Sequence, residues 1–296
     1  MIEVPSSEAT DVLTDWAEAS CLFGSQASIS EHELEDALED AGITDPDEAA
    51  PNIWHEIDLR HYAGGGAYPV KSLQGRLERT QEWHENPAYA FQLLLASQSY
   101  YQSIRITRTH WGITAKLFER LSTLALEQYL RGKAINIGAP RDGAVPAGFG
   151  DCLDHLCQNL GEMQGAIRLY TSRTKDDGVD VVAWCPFGDG RPGQVIILVQ
   201  CAAGADWRSK TTEISLGLWR EHIDWVTEPL KAFTFPFVCI DDTLWRRLSR
   251  ETEGVLLDRL RIASMFMAGG DSFSTVQAQL KEWCQEQLAR LPWLGK

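Results

Sequence analysis

The chain has 296 residues, 44% of them hydrophobic and 9% aromatic, and its formal net charge is −15. It contains no run of about 18 apolar residues, so it has no obvious membrane-spanning segment. Its seven cysteines include no C-x-x-C pair, which argues against a disulfide framework and a zinc ribbon. The opening residues, MIEVPSSEATDV, lack the basic and apolar stretches of a secretory signal, so we expect a cytoplasmic protein without membrane contact.

The negative charge is concentrated at the N-terminus. Residues 1–59 contain sixteen Asp or Glu and no Lys or Arg. Short helical patterns occur there, one of them with Ser30 as N-cap and Glu33 three residues later, which is the spacing of a capping box. We predict an acidic N-terminal arm over residues 1–59. It is either a solvated helical face or an arm that occupies a basic groove or docks a basic partner.

A helical region is predicted over residues 60–140. Within it, Ile113, Leu117, Leu121 and Leu124 recur at helical spacing, and the glycine-rich HYAGGGAYPV reads as a connector. Between Arg60 and Asp142 there are eleven Lys or Arg against six Asp or Glu, which is a modest basic surface. A Gly- and Pro-rich stretch then marks a domain boundary near Pro140.

The remainder, residues 141–296, alternates helical and strand patterns. The apolar spacing over residues 149–160 predicts an amphipathic helix, and strands are predicted over residues 166–173, 179–187, 194–203 and 233–241. Helical segments are predicted around Leu218 and over residues 242–267. The sequence therefore predicts an α/β (α+β) protein, with a helical N-terminal region followed by a central mixed sheet flanked by helices.

Acidic and polar side chains occur where two of these strands begin and end. Asp180 follows the turn KDDG directly, Gln200 ends the next apolar strand, and antiparallel pairing would bring both to one sheet edge. Glu162, just after the amphipathic helix, could face them, and such carboxylates are suited to Mg²⁺-assisted phosphodiester cleavage. Alternatively, Asp176, Asp177 and Asp180 simply form a turn around a glycine.

Three segments in this part, GFGDCLDHLCQNLGE, KDDGVDVV and GQVIILVQCAAGADWRSK, resemble the Mrr-like branch of the PD-(D/E)XK restriction-endonuclease-like superfamily. The resemblance covers residues 149–210, about 60 of the 296. It implies that Asp180 is the main Mg²⁺ (or Mn²⁺) ligand, Glu162 the helix-borne acid and Gln200 a weaker ligand. It further implies a metal-dependent endonuclease that cleaves DNA or RNA, as an effector of prokaryotic anti-phage defence with a partner helicase or ATPase.

One position departs from the family pattern. Ala202 stands two residues after Gln200, where the family has the lysine that helps to activate water and to stabilise the scissile phosphate. Lys210 is the substitute that we expect, because ADWRSK could begin a helix beside the strand end. The alternative is a catalytically inactive nuclease-like subunit that binds a protein partner, nucleic acid or both.

Overall fold

The protein has a mixed α/β fold with a helical N-terminal part and a five-stranded mixed sheet packed against helices. A computed structural model describes residues 1–141, 143, 145–166 and 175–294. The chain forms two compact units, each assembled from separate segments. Unit 1 comprises Met1–Thr114, Pro236–Asp241 and Asp258–Lys296, and unit 2 comprises Ala115–Phe235 and Asp242–Leu257. These boundaries differ from the predicted limits at residues 59 and 140.

The described residues contain ten α-helices and ten strands. The helices are α1 (Thr10–Phe23), α2 (Glu31–Asp40), α3 (Pro46–Gly64), α4 (Pro87–Ser97), α5 (Arg108–Leu130), α6 (Phe149–Leu160), α7 (Leu216–His222), α8 (Asp242–Thr252), α9 (Arg259–Ala268) and α10 (Ser274–Leu288). The strands are β1 (Ser28–Ser30), β2 (Val70–Leu73), β3 (Arg76–Arg79), β4 (Lys133–Asn136), β5 (Met163–Gln164), β6 (Val181–Cys185), β7 (Val195–Cys201), β8 (Ile223–Asp224), β9 (Leu230–Thr234) and β10 (Gly254–Leu257).

Unit 1 contains the acidic N-terminal segment, which folds into helices α1 to α3. The predicted capping box is confirmed, because the Ser30 side chain accepts a hydrogen bond from Glu33 N and the Glu33 carboxylate accepts one from Ser30 N. A three-stranded antiparallel sheet of order β1-β3-β2 accompanies these helices. The HYAGGGAYPV segment does not form a plain connector. It includes the last turn of α3, a short 3₁₀ turn and the beginning of β2.

Two carboxylates of this acidic segment are buried and paired with arginines. Asp15 accepts hydrogen bonds from Arg60 at 2.6 Å and from both terminal nitrogens of Arg259 at 2.9 and 2.7 Å. Glu18 accepts hydrogen bonds from Arg60 at 2.8 Å and from the hydroxyls of Tyr68 and Tyr89 at 2.5 Å. Carboxylates and arginines thus neutralise each other inside unit 1, which is the arrangement that makes buried charge tolerable.

Unit 2 is built on a five-stranded sheet of order β10-β9-β7-β6-β4. Strands β4, β6 and β7 pair antiparallel, whereas β9 pairs parallel with both β7 and β10. The predicted helix α6 is confirmed. The helix ends at Gly161, which has a φ of +72° and the left-handed conformation that glycine tolerates best. Its apolar face packs with alternate residues of the sheet, among them Val182, Trp184 and Leu198.

Some predicted elements differ from those observed. The strand predicted over residues 166–173 lies, apart from Ala166, outside the described residues. The helix predicted over residues 242–267 is wrong in its middle, where Glu253 has a φ of +53° and residues Gly254–Leu257 form β10. The strand expected over residues 233–241 ends at Thr234 because Pro236 cannot donate to a strand ladder. In the described part of the chain, no helix combines the length and apolar character needed to span a bilayer.

Candidate active site

Asp180 is fixed at the end of the sheet by bonds to both neighbouring strands. Its amide donates to Val199 O at 2.8 Å, and its Oδ2 accepts from Cys201 N at 2.7 Å. Its carbonyl oxygen accepts from Ile137 N at 2.7 Å and from Gly138 N at 3.0 Å. The start of β6 is thereby held between the ends of β4 and β7, and the Asp180 carboxylate lies where these three strands meet.

A lysine and a glutamate from helix α5 lie at the same place. Lys116 Nζ donates to Glu119 Oε2 at 2.6 Å, to Asn136 Oδ1 at 3.2 Å and to the carbonyl oxygen of Gly138. Asn136 Nδ2 donates to Glu119 Oε2 at 3.0 Å. We refer to Lys116, Glu119, Asn136 and Asp180 as the Asp180 cluster.

Gly138 is the point at which the two carboxylates of the cluster converge. A Cβ atom at this position would lie 2.7 Å from Glu119 Oε2 and 2.9 Å from Asp180 Oδ1. Both distances are shorter than any normal contact of a Cβ atom, so the space that a side chain would occupy is bordered by both carboxylates. Glycine is the one residue that leaves this space open.

The electrostatics of the cluster reflect two acids brought together away from water. Burial and, after it, the charge of Glu119 raise the pKa of Asp180 to about 8, against the lowering effect of the Cys201 amide. Burial also raises the pKa of Glu119, whereas the hydrogen bond and charge of Lys116 lower it. Two carboxylates beside one ammonium leave an excess of negative charge, which a proton or a further cation would relieve.

Gln200 and Cys201 occupy the end of β7 beside Asp180. Gln200 is buried, with 6% of its surface exposed, and its Oε1 has no hydrogen-bond partner within the described ranges. Alternation along the strand directs Gln200 toward the face of Leu198, which packs with α6, and Cys201 toward the opposite face. Burial raises the pKa of the Cys201 thiol well above its ordinary value, and the charges of Asp180 and Glu119 raise it further.

The other two predicted site residues do not join the cluster through any observed hydrogen bond. Glu162 Oε1 accepts from Gly193 N at 3.4 Å and its Oε2 from Val226 N at 3.0 Å, so its carboxylate caps two loop amides. Lys210 ends the 3₁₀ turn Trp207–Lys210, and its ammonium makes no hydrogen bond or ion pair with any residue in the described part of the chain. Ala202 is buried and supplies no charge.

Sequence reasoning missed Lys116, Glu119 and Asn136. Of the stripe expected on α5, Ile113 is 68% exposed, while Leu117 and Leu121 are buried beside Phe118 and Ser122. Lys116 and Glu119 are themselves only 9% and 8% exposed. The available signal was a lysine and a glutamate three residues apart on a helix whose buried side also carries the small residues Ser122 and Ala125.

Comparisons with protein-family models, with curated proteins and with solved structures found no match. The Asp180 cluster is therefore the observation that bears most directly on function.

The donor set of the cluster consists of hard oxygen atoms. No group of three or more His, Cys, Asp or Glu among residues 1–141, 143, 145–166 and 175–294 is arranged to hold a metal ion. Two carboxylates converge at Gly138, however, and the neutral oxygens of Asn136 and Gly138 accept from Lys116 beside them. Mg²⁺ is commonly bound by one or two carboxylates together with water and substrate phosphates, so this set fits Mg²⁺ better than a metal that needs a complete protein cage.

Proposed function

We propose that unit 2 is a metal-dependent nuclease that hydrolyses phosphodiester bonds of DNA or RNA at the Asp180 cluster. The observation that carries this proposal is the convergence of Glu119 and Asp180 on Gly138, with Lys116 beside them. Glu119 and Lys116 are buried and Asp180 is half-buried at the open end of the sheet, and charge in such a place is costly without full pairing.

The resemblance to the PD-(D/E)XK superfamily supports this proposal, with one change of residue. In that superfamily a helix with an acid precedes a hairpin whose first strand carries the metal-binding Asp and whose second carries Glu, Asp or Gln. Helix α5, β6 and β7 supply Glu119, Asp180 and Gln200 in that chain order. Glu119 therefore replaces Glu162 as the proposed helix-borne acid, because Glu162 is occupied with the amides of Gly193 and Val226.

The lysine expected at Ala202 has a candidate replacement in Lys116. Its ammonium lies beside both the Glu119 carboxylate and the Gly138 carbonyl, at the point where the acids converge. A positive charge there would stabilise the charge that develops on a phosphate during cleavage. In this proposal Lys116 takes the role that the sequence suggested for Lys210.

In the proposed site, Asp180 and Glu119 would hold Mg²⁺ and leave room for water and a phosphate oxygen. The bound ion would supply Lewis acidity toward the phosphodiester. The protein's own contribution is to position the acids: the Cys201 amide orients the Asp180 carboxylate, and Asn136 and Lys116 orient that of Glu119. The raised pKa of Asp180 means that its carboxyl must release a proton before it can act as a ligand.

A second candidate function is a nuclease-like subunit without activity. The observation that favours it is that Lys116 already pairs with Glu119 and that Asp180 already accepts a backbone amide, so part of the cluster is satisfied internally. Such a cluster would stabilise unit 2 without binding a metal, and the protein would then act by binding a partner or nucleic acid.

Cleavage assays with supercoiled plasmid, single-stranded DNA and RNA in Mg²⁺ or Mn²⁺ distinguish the two functions. We expect wild-type protein to nick at least one substrate, and Asp180→Asn and Glu119→Gln to reduce the rate by on the order of 10²-fold or more. Asp189→Asn is the matched control, because that carboxylate is in the same unit and its hydrogen-bond partner within the described residues is Arg191. Thermal melting of each variant shows whether it remains folded.

Two results would count against the nuclease proposal. Equal cleavage by the wild type and by Asp180→Asn would place the active site elsewhere. A wild type that cleaves none of the substrates, and whose melting temperature does not respond to Mg²⁺ or Mn²⁺, would favour the inactive subunit, because a ligand that binds only the folded state must stabilise it.

A further inference from the structure

Unit 1 contains a groove lined by both ends of the described chain and by helix α2. The groove has a volume of about 710 Å³ and is bordered by Met1, residues 3–8, one side of α2, the turn after it and Leu294. Its apolar lining includes Val4, Ala37, Ile43 and Leu294. Leu294 is 52% exposed and is the apolar side chain that the C-terminal end contributes to this lining.

The walls of the groove are tied together by hydrogen bonds. Glu3 N donates to Pro292 O at 2.8 Å, and Leu294 N donates to Met1 O at 3.0 Å. On the other side, Thr44 Oγ1 donates to Glu8 Oε1 at 2.5 Å. Beneath these contacts, Ile2 is fully buried and forms a bridge with Trp293. The groove is therefore formed before any ligand arrives, which lowers the entropic cost of binding.

All the charged side chains that line the groove are acidic, and the α-amino group of Met1 adds one positive charge. Five acidic side chains line it, namely Glu3, Glu8, Glu33, Asp36 and Asp40. Within the described residues, Glu3 and Asp40 form no ion pair, and Asp36 pairs only with the exposed His32 at 3.5 Å. Asp40 also ends α2, where the helix dipole disfavours a negative charge and no basic residue balances it. The rim therefore carries a net negative charge.

We propose that this groove binds a basic amphipathic segment of a partner protein. An apolar side chain of the segment would occupy the lining formed by Val4, Ala37, Ile43 and Leu294, while flanking Lys or Arg side chains would pair with the rim. Complementary charge gives such an interface its specificity and a fast association rate. The net negative charge of the rim disfavours nucleic acid, because it repels phosphates.

A labelled peptide of about twelve residues with alternating pairs of Lys and Leu, carrying a photo-reactive leucine analogue, serves as the probe. We expect saturable binding to the full chain by fluorescence anisotropy, weakening as salt is added. Crosslinks should map to the groove. A peptide with Ser in place of Leu tests the apolar lining, and one with Glu in place of Lys tests the rim.

Matched double variants on α2 locate the interaction. Asp36→Asn with Asp40→Asn removes two rim charges, whereas Glu35→Gln with Glu39→Gln removes two charges from the same helix outside the groove. We expect the first pair to weaken binding roughly tenfold and the second less than about twofold. Leu294→Ser should weaken the Lys/Leu peptide but leave the Lys/Ser peptide unaffected.

The proposal is overturned if both double variants weaken binding equally, since the peptide would then respond to net charge alone. It is also overturned if the crosslinks fall outside the groove, or if the wild type shows no saturable binding. The groove does not depend on the proposed nuclease, so Asp180→Asn should bind the peptide as the wild type does. Equal melting temperatures of the α2 variants exclude unfolding as the cause of a loss.

Discussion

Glu119 and Asp180, which come from different elements of unit 2, lie against the same glycine. The carboxylate oxygens of these residues would be 2.7 and 2.9 Å from a Cβ atom at Gly138. The Glu119 carboxylate is held by Lys116 and Asn136. The Asp180 carboxylate is held by the Cys201 amide, so a methyl group at Gly138 would have to displace at least one of these bonded carboxylates. The relationship between the two acids can therefore be tested without changing either of them.

We expect Gly138→Ala to reduce metal-dependent cleavage by at least about tenfold, because the methyl group displaces the acids from the geometry that a ligand set requires. The free energy of unfolding of this variant should stay close to that of the wild type, although its cleavage rate falls. Gly112→Ala in helix α5 is the control, since nothing lies within 4 Å of its added Cβ. Cleavage rates and urea titrations of both variants provide the measurement, and unchanged activity in Gly138→Ala would contradict the site.

The stability of the metal-free protein should depend on the protonation of Asp180. Its pKa is raised to about 8 in the folded protein, whereas an unfolded Asp titrates near about 4. The stabilising contribution is therefore complete below about pH 4, declines as the pH rises and is lost once the pH passes about 8. We expect urea unfolding of the wild type to show this decline, and Asp180→Asn to lack it. A decline of equal size in both proteins would assign the effect to other groups.

Glu162 should matter for stability and not for cleavage. Removing its carboxylate in Glu162→Ala leaves the amides of Gly193 and Val226 without their acceptor, which should lower the free energy of unfolding by about 1–3 kcal/mol. At temperatures where the variant is folded, its cleavage rate should remain within about twofold of the wild type. A cleavage rate as low as that of Asp180→Asn would instead indicate that Glu162 belongs to the active site.

The buried arginine of unit 1 should be among the most sensitive positions for stability. Arg259→Ala leaves Asp15 without its bidentate partner and should destabilise the protein by about 3–5 kcal/mol. Arg246→Ala breaks an exposed pair with Asp242 that solvent screens, so its unfolding midpoint should stay close to that of the wild type. Urea unfolding curves of the two variants test this contrast, and equal costs would mean that the buried network contributes little.

The elements that local patterns predict well are those whose residues are neighbours in sequence. The apolar spacing of α6, the apolar run of β7 and the capping box at Ser30 all depend on contacts within one turn or one strand. Asp180 could be singled out for the same reason, since a turn and a strand flank it directly. These features are local, so one sequence is enough to find them.

The partners of Asp180 could not be found in this way. Glu119 belongs to α5, which two described strands and another helix separate from β6 in the chain. Its burial depends on packing that the pattern of α5 does not reveal. Glu162 is closer to Asp180 in sequence, and the sequence pattern therefore favours it as the helix-borne acid. Its carboxylate accepts hydrogen bonds from two loop amides instead. Residues that are far apart in the sequence lie close together here, because the pairing of strands in the sheet, and not their order in the chain, determines which residues are neighbours.

The burial of acidic residues in the N-terminal segment is likewise not visible in the local sequence. Asp15 and Glu18 look like part of a solvated face, because nothing basic occurs before Arg60. Their second arginine, Arg259, follows Asp15 by 244 positions. The burial of two carboxylates among apolar residues of α1 thus depends on a counter-charge from the far end of the chain.

This long separation has a consequence for the protein during its synthesis. Unit 2 is complete in the nascent chain when Leu257 emerges from the ribosome, but unit 1 still lacks Asp258–Lys296. Until then the buried cation beside Asp15 and Glu18 is Arg60, and the first residues lack their backbone partner at Pro292. Domains usually mature on the ribosome from the N-terminus onward. In this chain unit 2 can finish folding before unit 1. Helices α1 to α3 of unit 1 lack their C-terminal contacts until Asp258–Lys296 has been synthesised.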